Sequence, residues 1–220
     1  MNIDRAFAIL LLPLILPALA VLYVLAMLLQ GRPFIYSSER MRDADTSFRL
    51  FKIRTMRPPG FGEREGALGG HLEHRVTPMG VWLRRLRLDE LPQIFNVIRG
   101  DIRFIGPRPP LRKHVEACPR RYRQLLALTR PGITGLATVM VHAREERLLS
   151  ACRSEEETEV VYLRRCLPVK LRLDMIYQRK RSPILDLLVL WRTFAGLSQA
   201  VPIDQRNSSV TRLRPVLWNA

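Results

Sequence analysis

Residues 6–29, AFAILLLPLILPALAVLYVLAMLL, carry no charge and are almost entirely apolar. About 20 such residues in a helix cover the roughly 30 Å of a bilayer's hydrocarbon, so the length permits a membrane element. A cleaved signal peptide fits poorly. The run is long, and Asp4 and Arg5 both precede it. Pro13 and Pro17 lie four residues apart near the middle. Each removes a backbone donor and clashes with the preceding turn, costing about 3 kcal/mol or more in a helix interior. Two on one face predict either a kinked signal-anchor span or a helix–break–helix that enters one leaflet and returns. The basic excess follows the run, so a full span would set the N-terminus outside, whereas a re-entrant hairpin leaves both ends in the cytoplasm.

The remaining length leaves room for one domain in a chain of 220 residues. A hydrophobic share of 47% with 25% charged residues suits a folded protein. The formal net charge of +16 implies an anionic partner: nucleic acid, anionic lipid or a phosphorylated substrate. Nucleic acid is the least suited, because no reading motif and no interleaved aromatics accompany the charge. Cys118, Cys152 and Cys166 show no CxxC spacing and cannot all pair within one chain, which points to a reducing compartment. His71 and His74 lack cysteine partners, so a metal site there is not expected.

Beyond the apolar run, residues 34–56 read as two short strands, 34–36 and 48–53, around the Asp43-Ala44-Asp45 turn. Residues 58–70 are rich in Pro and Gly, include Glu63 and Glu65, and read as an exposed loop without a phosphate-binding P-loop pattern. Thr77-Pro78 opens a helix through Val81, Trp82, Leu83 and Leu86, with Arg84, Arg85 and Arg87 around it. In LDELPQIFNVIRGD (88–101), Asp89 is a favoured N-cap, Pro92 is tolerable in a first turn, and Leu91, Ile94, Phe95 and Ile98 follow helical spacing to a Gly100 stop. The Asp89-Glu90 pair is therefore expected at a helix start beside arginines. That is either a plain acidic first turn or, beside a phosphate and a divalent cation, a ligand or nucleophile. Residues 102–105 read as a strand ending in Gly106-Pro107-Arg108-Pro109-Pro110, which presents Arg108 from a rigid turn; residues 130–135, RPGITG, form a second such turn.

Taken together, FKIRTM (51–56), LDELPQIFNVIRGD (88–101), FIGPRP (104–109) and RPGITG (130–135) occur in the order seen in the bacterial sugar transferase family, the monotopic phosphoglycosyl transferases. The chain resembles the minimal form of that family from its apolar N-terminus to about residue 196. The resemblance implies an α+β fold. Residues 1–31 would be a re-entrant membrane helix, 32–200 a small, mainly helical cytoplasmic catalytic domain with short strands and interfacial amphipathic helices, and 201–220 a basic tail. It implies transfer of a sugar 1-phosphate from a UDP-sugar to undecaprenyl (polyprenyl) phosphate at the cytoplasmic face of the bacterial inner membrane, in exopolysaccharide or glycoconjugate assembly. Asp89 would attack the sugar-bearing phosphate and release UMP, with Mg²⁺ at the site and Asp89 as its ligand. Glu90 would assist either metal placement or acceptor activation. Arg84, Arg108, Lys52, Arg54 and Thr134 would contact phosphate. The alternative is a non-catalytic membrane adaptor of a polysaccharide assembly complex, which the intact Asp89, Glu90 and Arg108 disfavour. The resemblance is compatible with a homo-oligomer and does not name the sugar.

Two departures from the family pattern are visible. The family's helix breaks at Ser-Pro, whereas here Leu16 precedes Pro17, with Pro13 as an additional breaker. After RPGITG the chain reads LATVMVHAREERLL (136–149), which resembles a subset of members that continue with Tyr162, Leu167-Pro168, Lys170, Asp174 and Tyr177. Ser182-Pro183 then starts a helix over 184–194 with Asp186 and Thr193 on one face and a broad apolar face opposite. A membrane-interface helix and a buried core helix both fit that pattern.

Overall fold

A computed structural model describes residues 3–58 and 75–198. The Pro/Gly-rich stretch with Glu63, Glu65, His71 and His74, and the basic tail 201–220, lie outside the described residues. The described part is mostly helical with a few short strands.

Helix α1 runs Ile3–Leu29, unbroken through Pro13 and Pro17. The expected helix–break–helix is thus a single helix. Both prolines lie on its exposed side, where a proline's clash opens the helix and bends it toward the opposite face. That opposite face carries Ala8, Ile15, Leu19, Leu22 and Ala26 at helical spacing and packs along the rest of the protein. The outward face leaves Leu10, Leu14, Val21 and Leu28 60–78% exposed. A helix this apolar and this exposed is not a core helix.

Both ends of α1 are fixed to the same unit. Asp4 takes Arg103 Nε at 3.0 Å and the Phe104 amide at 3.2 Å, and Arg5 donates to the Arg99 carbonyl at 2.8 Å. At the other end Thr77 donates to the Gln30 side chain at 2.9 Å, and Arg54 donates to the carbonyls of Gln30 and Gly31.

Strands β1 (Ile35–Met41) and β2 (Ser47–Ile53) form an antiparallel hairpin. Asp43 closes it, accepting from the amides of Asp45 and Thr46. Helix α2 (Pro78–Arg85) starts at an N-cap Thr77 whose hydroxyl accepts from the Gly80 amide. A one-turn 3₁₀ segment, Leu88–Glu90, leads to α3 (Gln93–Arg99), which ends at Gly100 in the left-handed conformation. Strands β3 (Arg103–Ile105) and β4 (Gly132–Thr134) pair in parallel, and α4 (Arg112–Ala117) and α5 (Pro119–Leu128) connect them. Then come α6 (Leu136–Ser150), α7 (Glu155–Val161), a π-turn over Tyr162–Cys166, α8 (Leu167–Arg179) and α9 (Pro183–Ser198).

Helix α9 is not a core helix. Ile184, Leu187, Trp191 and Phe194 are 65–81% exposed, while Asp186 and Thr193 turn inward to Tyr177 and Thr134. The interface-facing alternative of the sequence pattern is the one consistent with this exposure.

The glycines of the two rigid turns have a packing reason. A Cβ on Gly132 would lie 2.2 Å from the Gly106 amide nitrogen, and one on Gly135 would lie 2.2 Å from the Gly106 carbonyl oxygen. Only bare backbone lets the two turns meet so closely, and their contact fixes the loop that carries Arg108. Substituting Gly132→Ala is therefore expected to cost roughly 1–3 kcal/mol or more, read as a lowered denaturation midpoint. An unchanged midpoint would mean that the turns are not held by this contact.

Candidate active site

The two consecutive carboxylates Asp89 and Glu90 occupy the 3₁₀ turn, and both residues are buried. Helix α3 starts only at Gln93, with Pro92 before it and no side-chain cap. Asp89 is thus not the N-cap that its spacing predicts: its carboxylate is free of that duty. Three cations converge on Glu90. Lys52 from β2 lies 2.9 Å from Oε1, Arg108 from the proline-flanked turn lies 3.3 Å from the same oxygen, and Arg87 Nη2 lies 2.5 Å from Oε2. Arg87 reaches it from a positive φ of 55°, a conformation that costs a non-glycine residue about 1–3 kcal/mol. The ion pair to Glu90 offsets that strain.

Asp89 is held differently. Its nearest cation is Lys52, at 3.8 Å from Oδ2. Arg84 stands close enough to stabilise its charge, but the Arg84 guanidinium is bonded to the Thr55 hydroxyl at 2.9 Å. Burial pushes the Asp89 carboxyl above the ordinary aspartate range, and the Glu90 charge adds to the rise against the pull of Lys52, Arg84 and Arg108. Burial also works against the Glu90 charge, but there Lys52, Arg108 and Arg87 outweigh it and hold the carboxyl well below the ordinary glutamate range. Two adjacent carboxylates are therefore driven in opposite directions, a pattern associated with divided roles at reactive sites.

Of the residues singled out from the sequence, the structure brings together Asp89, Glu90, Lys52, Arg84 and Arg108. Arg54 and Thr134 have other partners. The Arg54 guanidinium turns to the end of α1, at 2.6 Å from the Gln30 carbonyl, because residue 54 lies beyond the last pair of β2 and is no longer held to the face that carries Lys52. The Thr134 hydroxyl is buried against Thr193 of α9 at 2.8 Å. Sequence reasoning missed Arg87 as the partner of Glu90, although the three-residue spacing was available, and it missed Thr55 as the anchor of Arg84.

Among the described residues no cluster of three or more Asp, Glu, His or Cys side chains is arranged to hold a metal ion. Both Glu90 oxygens are occupied by cations, whereas among the described residues no hydrogen bond engages the Asp89 carboxylate. That donor set fits Mg²⁺, which commonly uses one or two carboxylates and completes its shell with substrate phosphates and water.

This buried acid pair is ringed by guanidiniums and an ammonium beside an apolar helix, a set of groups with the chemistry to hold phosphate. The model of the family described as bacterial sugar transferase matches residues 1–200, and the chain belongs to that family. A putative undecaprenyl-phosphate N-acetylgalactosaminyl 1-phosphate transferase of Bacillus subtilis (strain 168) is 42% identical over 107 residues, covering 48% of this chain and 59% of the relative. The UDP-N-acetylgalactosamine-undecaprenyl-phosphate N-acetylgalactosaminephosphotransferase of Aeromonas hydrophila is 32% identical over 198 residues, covering 87% of this chain and 42% of the relative. The UDP-glucose:undecaprenyl-phosphate glucose-1-phosphate transferase of Escherichia coli (strain K12) is 31% identical over 167 residues, covering 73% and 35%. The chain spans less than two thirds of the length of each of these relatives.

The opposed environments predict opposed stability effects. A carboxyl raised on folding supports the fold only while protonated, and that support is lost as pH rises through the folded value. A lowered carboxyl supports the fold above its ordinary value and loses that support as pH falls toward the folded value. At pH 7.5 Asp89→Asn should therefore unfold at or above the wild-type midpoint, whereas Glu90→Gln should lose roughly 3 kcal/mol by orphaning buried cations. Denaturant titration of the purified variants checks this, and equal losses would contradict it.

Proposed function

We propose that this chain transfers a sugar 1-phosphate from a UDP-sugar to undecaprenyl phosphate. The observation that supports the reading is the asymmetry of the acid pair: Glu90 is saturated by Lys52, Arg87 and Arg108, whereas among the described residues the Asp89 carboxylate accepts no hydrogen bond and meets Lys52 only at 3.8 Å. Asp89 attacks the sugar-bearing phosphorus, the bond from that phosphorus to the bridging oxygen breaks, and UMP leaves. An oxygen of the polyprenyl phosphate then attacks the same phosphorus, the Asp89–phosphorus bond breaks, and the carboxylate is restored. A carboxylate approaching an anionic phosphate needs its charge and that of the phosphate offset. Lys52, Arg84 and Arg108 supply that offset from fixed positions. Glu90, held well below the ordinary range, is a weak base; its role is to hold those cations in place. Mg²⁺, held by Asp89 together with substrate phosphates, would supply further neutralisation of the diphosphate.

The expected result is lipid-dependent UMP release from one member of a UDP-sugar panel, using purified protein, undecaprenyl phosphate and Mg²⁺. Without the lipid, one equivalent of UMP per protein and a sugar-phosphate mass increment on the peptide containing Asp89 are expected. Asp89→Asn should lower turnover at least about 10³-fold. Turnover retained in that variant would remove Asp89 as nucleophile, and a folded wild-type protein inert toward every donor would favour the adaptor.

The membrane reading follows from α1. A straight helix of this length extends about 40 Å, more than a bilayer's hydrocarbon core. Yet Asp4 and Gln30, near its two ends, both bind the catalytic unit. A full crossing would put those contacts on opposite sides of the membrane. Both ends therefore lie on the cytoplasmic side, with the face of Leu10, Leu14, Val21 and Leu28 in the lipid. Ile3→Cys should resist an impermeant maleimide in intact cells and react after lysis; labelling in intact cells would indicate a full span.

A further inference from the structure

Arg40 stands apart from the other cations near the acid pair. It lies on β1, cross-paired with Phe48, and the register pairs Tyr36 with Lys52 and Ser38 with Leu50 on the same ladder. Side chains alternate along a strand and cross-paired residues share a face, so Tyr36, Ser38 and Arg40 lie on the face that carries Lys52. The end of this strand is fixed against the proline-flanked turn, since the Met41 amide donates to the Pro110 carbonyl at 2.9 Å. Arg40 and Arg108 are thereby brought to the same edge of the site, and the Arg108 charge bears on Arg40.

Most of the other cations around the site are paired with a carboxylate, and Arg84 is held by a short bond to a hydroxyl. Lys52, Arg87 and Arg108 bind Glu90, Arg84 binds Thr55, and the Lys170 ammonium is engaged by both oxygens of Glu145. The one hydrogen bond of the Arg40 guanidinium is to the Ser38 hydroxyl, at 3.4 Å, and no carboxylate among the described residues lies within ion-pair distance of it. Burial and then the Arg108 charge push Arg40 down to about 10. A half-buried guanidinium beside a second one, with no carboxylate paired to it among the described residues, carries a cost that a bound anion would reverse.

The contacts of the proline-flanked turn give the order of these groups. Arg108 bonds Glu90 beside Asp89, while Pro110, two residues further on, accepts from the amide of Met41, the neighbour of Arg40. Arg108 thus stands between the nucleophilic carboxylate and Arg40. In a diphosphate, the attacked phosphorus belongs beside Asp89, and the second phosphate lies one unit further out.

We propose that Arg40 and Arg108 form the subsite for that second phosphate, the one that leaves on the nucleoside monophosphate. Charge develops on this group as the bond to the bridging oxygen breaks, so two guanidiniums there favour departure as well as binding. The acceptor phosphate, which arrives after the nucleotide has left, does not depend on Arg40. This assignment rests on the transferase reading above.

The test uses the full-length protein and the variants Arg40→Gln and Arg40→Lys, with folding verified by thermal melting. UDP and UMP binding by titration calorimetry, which needs no turnover, is expected to weaken about tenfold or more in Arg40→Gln and to recover in part in Arg40→Lys. The donor KM should rise with it while the acceptor KM stays within about twofold. Folded Arg40→Gln that binds UDP and UMP like the wild type overturns the subsite, as does a rise confined to the acceptor KM. Should the wild type bind UDP through Arg40 yet release no UMP from any donor, the subsite stands and the transferase reading fails.

Discussion

The Glu90 carboxylate is the interaction on which the rest of the site depends. It is a buried charge in a chain rich in arginine, and it draws cations from three separate segments: Lys52 from β2, Arg87 from its own turn and Arg108 from the proline-flanked loop. A buried charge without partners costs several kcal/mol, and with good partners that cost is largely recovered. Glu90 is therefore stable only when hairpin, 3₁₀ turn and loop are all in place. Its saturation also has a chemical consequence. With Lys52, Arg87 and Arg108 committed to Glu90, Asp89 is left buried, without a hydrogen-bonded cation and with its carboxyl raised. A carboxylate that is desolvated but not locked is more reactive than one held in a tight ion pair.

The scaffold around the pair is correspondingly close-fitting. A Cβ on Gly80 would stand 2.1 Å from the Thr55 carbonyl oxygen, so α2 approaches the end of β2 backbone to backbone. That approach lets Arg84 reach the Thr55 hydroxyl and be aimed beside Asp89. On the other side the parallel pairing of β3 with β4 and the contact of the two glycine turns fix the base of the Arg108 loop. Cations placed by rigid backbone need little rearrangement to meet a phosphate, which is the economical way to stabilise developing charge.

Much of this was legible in the sequence, and the parts that were not share a cause. The apolar run, the hairpin, the Gly100 stop and the rigid turn bearing Arg108 are local features set by composition and spacing, and the structure has them. The assignment of Asp89 as an N-cap failed because a capping side chain and a buried reactive one have the same local signature. What separates them is the arrival of Lys52, 37 positions earlier in the chain, and of Arg108, 19 later. Arg54 and Thr134 failed to join the acid pair for the same reason: the strand register and the packing of α9 decide where they point. Whether the apolar face of α9 is covered or bare is likewise a property of the whole fold. The unbroken helix at Pro13 and Pro17 shows the limit of counting proline costs, since packing of Ala8, Ile15, Leu19 and Leu22 along one face offsets two lost hydrogen bonds on the other.

The four residues that end β2 and follow it join the site to α1. Lys52 enters the acid pair, Ile53 packs against Leu19, Leu22 and Ala26, Arg54 binds the last carbonyls of α1, and Thr55 anchors Arg84. Lys52 and Ile53 point to opposite faces of β2, and Arg54 and Thr55 lie past its end, so one short segment touches the site, the helix and α2 at once. With α1 seated in lipid as proposed, its depth sets the height of Asp89 above the membrane surface. On the proposed transferase reading, with a soluble donor and a lipid-phosphate acceptor, that height bears on catalysis. Asp89, as the proposed nucleophile, would stand at headgroup level, where an acceptor phosphate can reach it without leaving the bilayer. Polar contacts at both ends of α1 tie that level to the domain and leave little to diffusion.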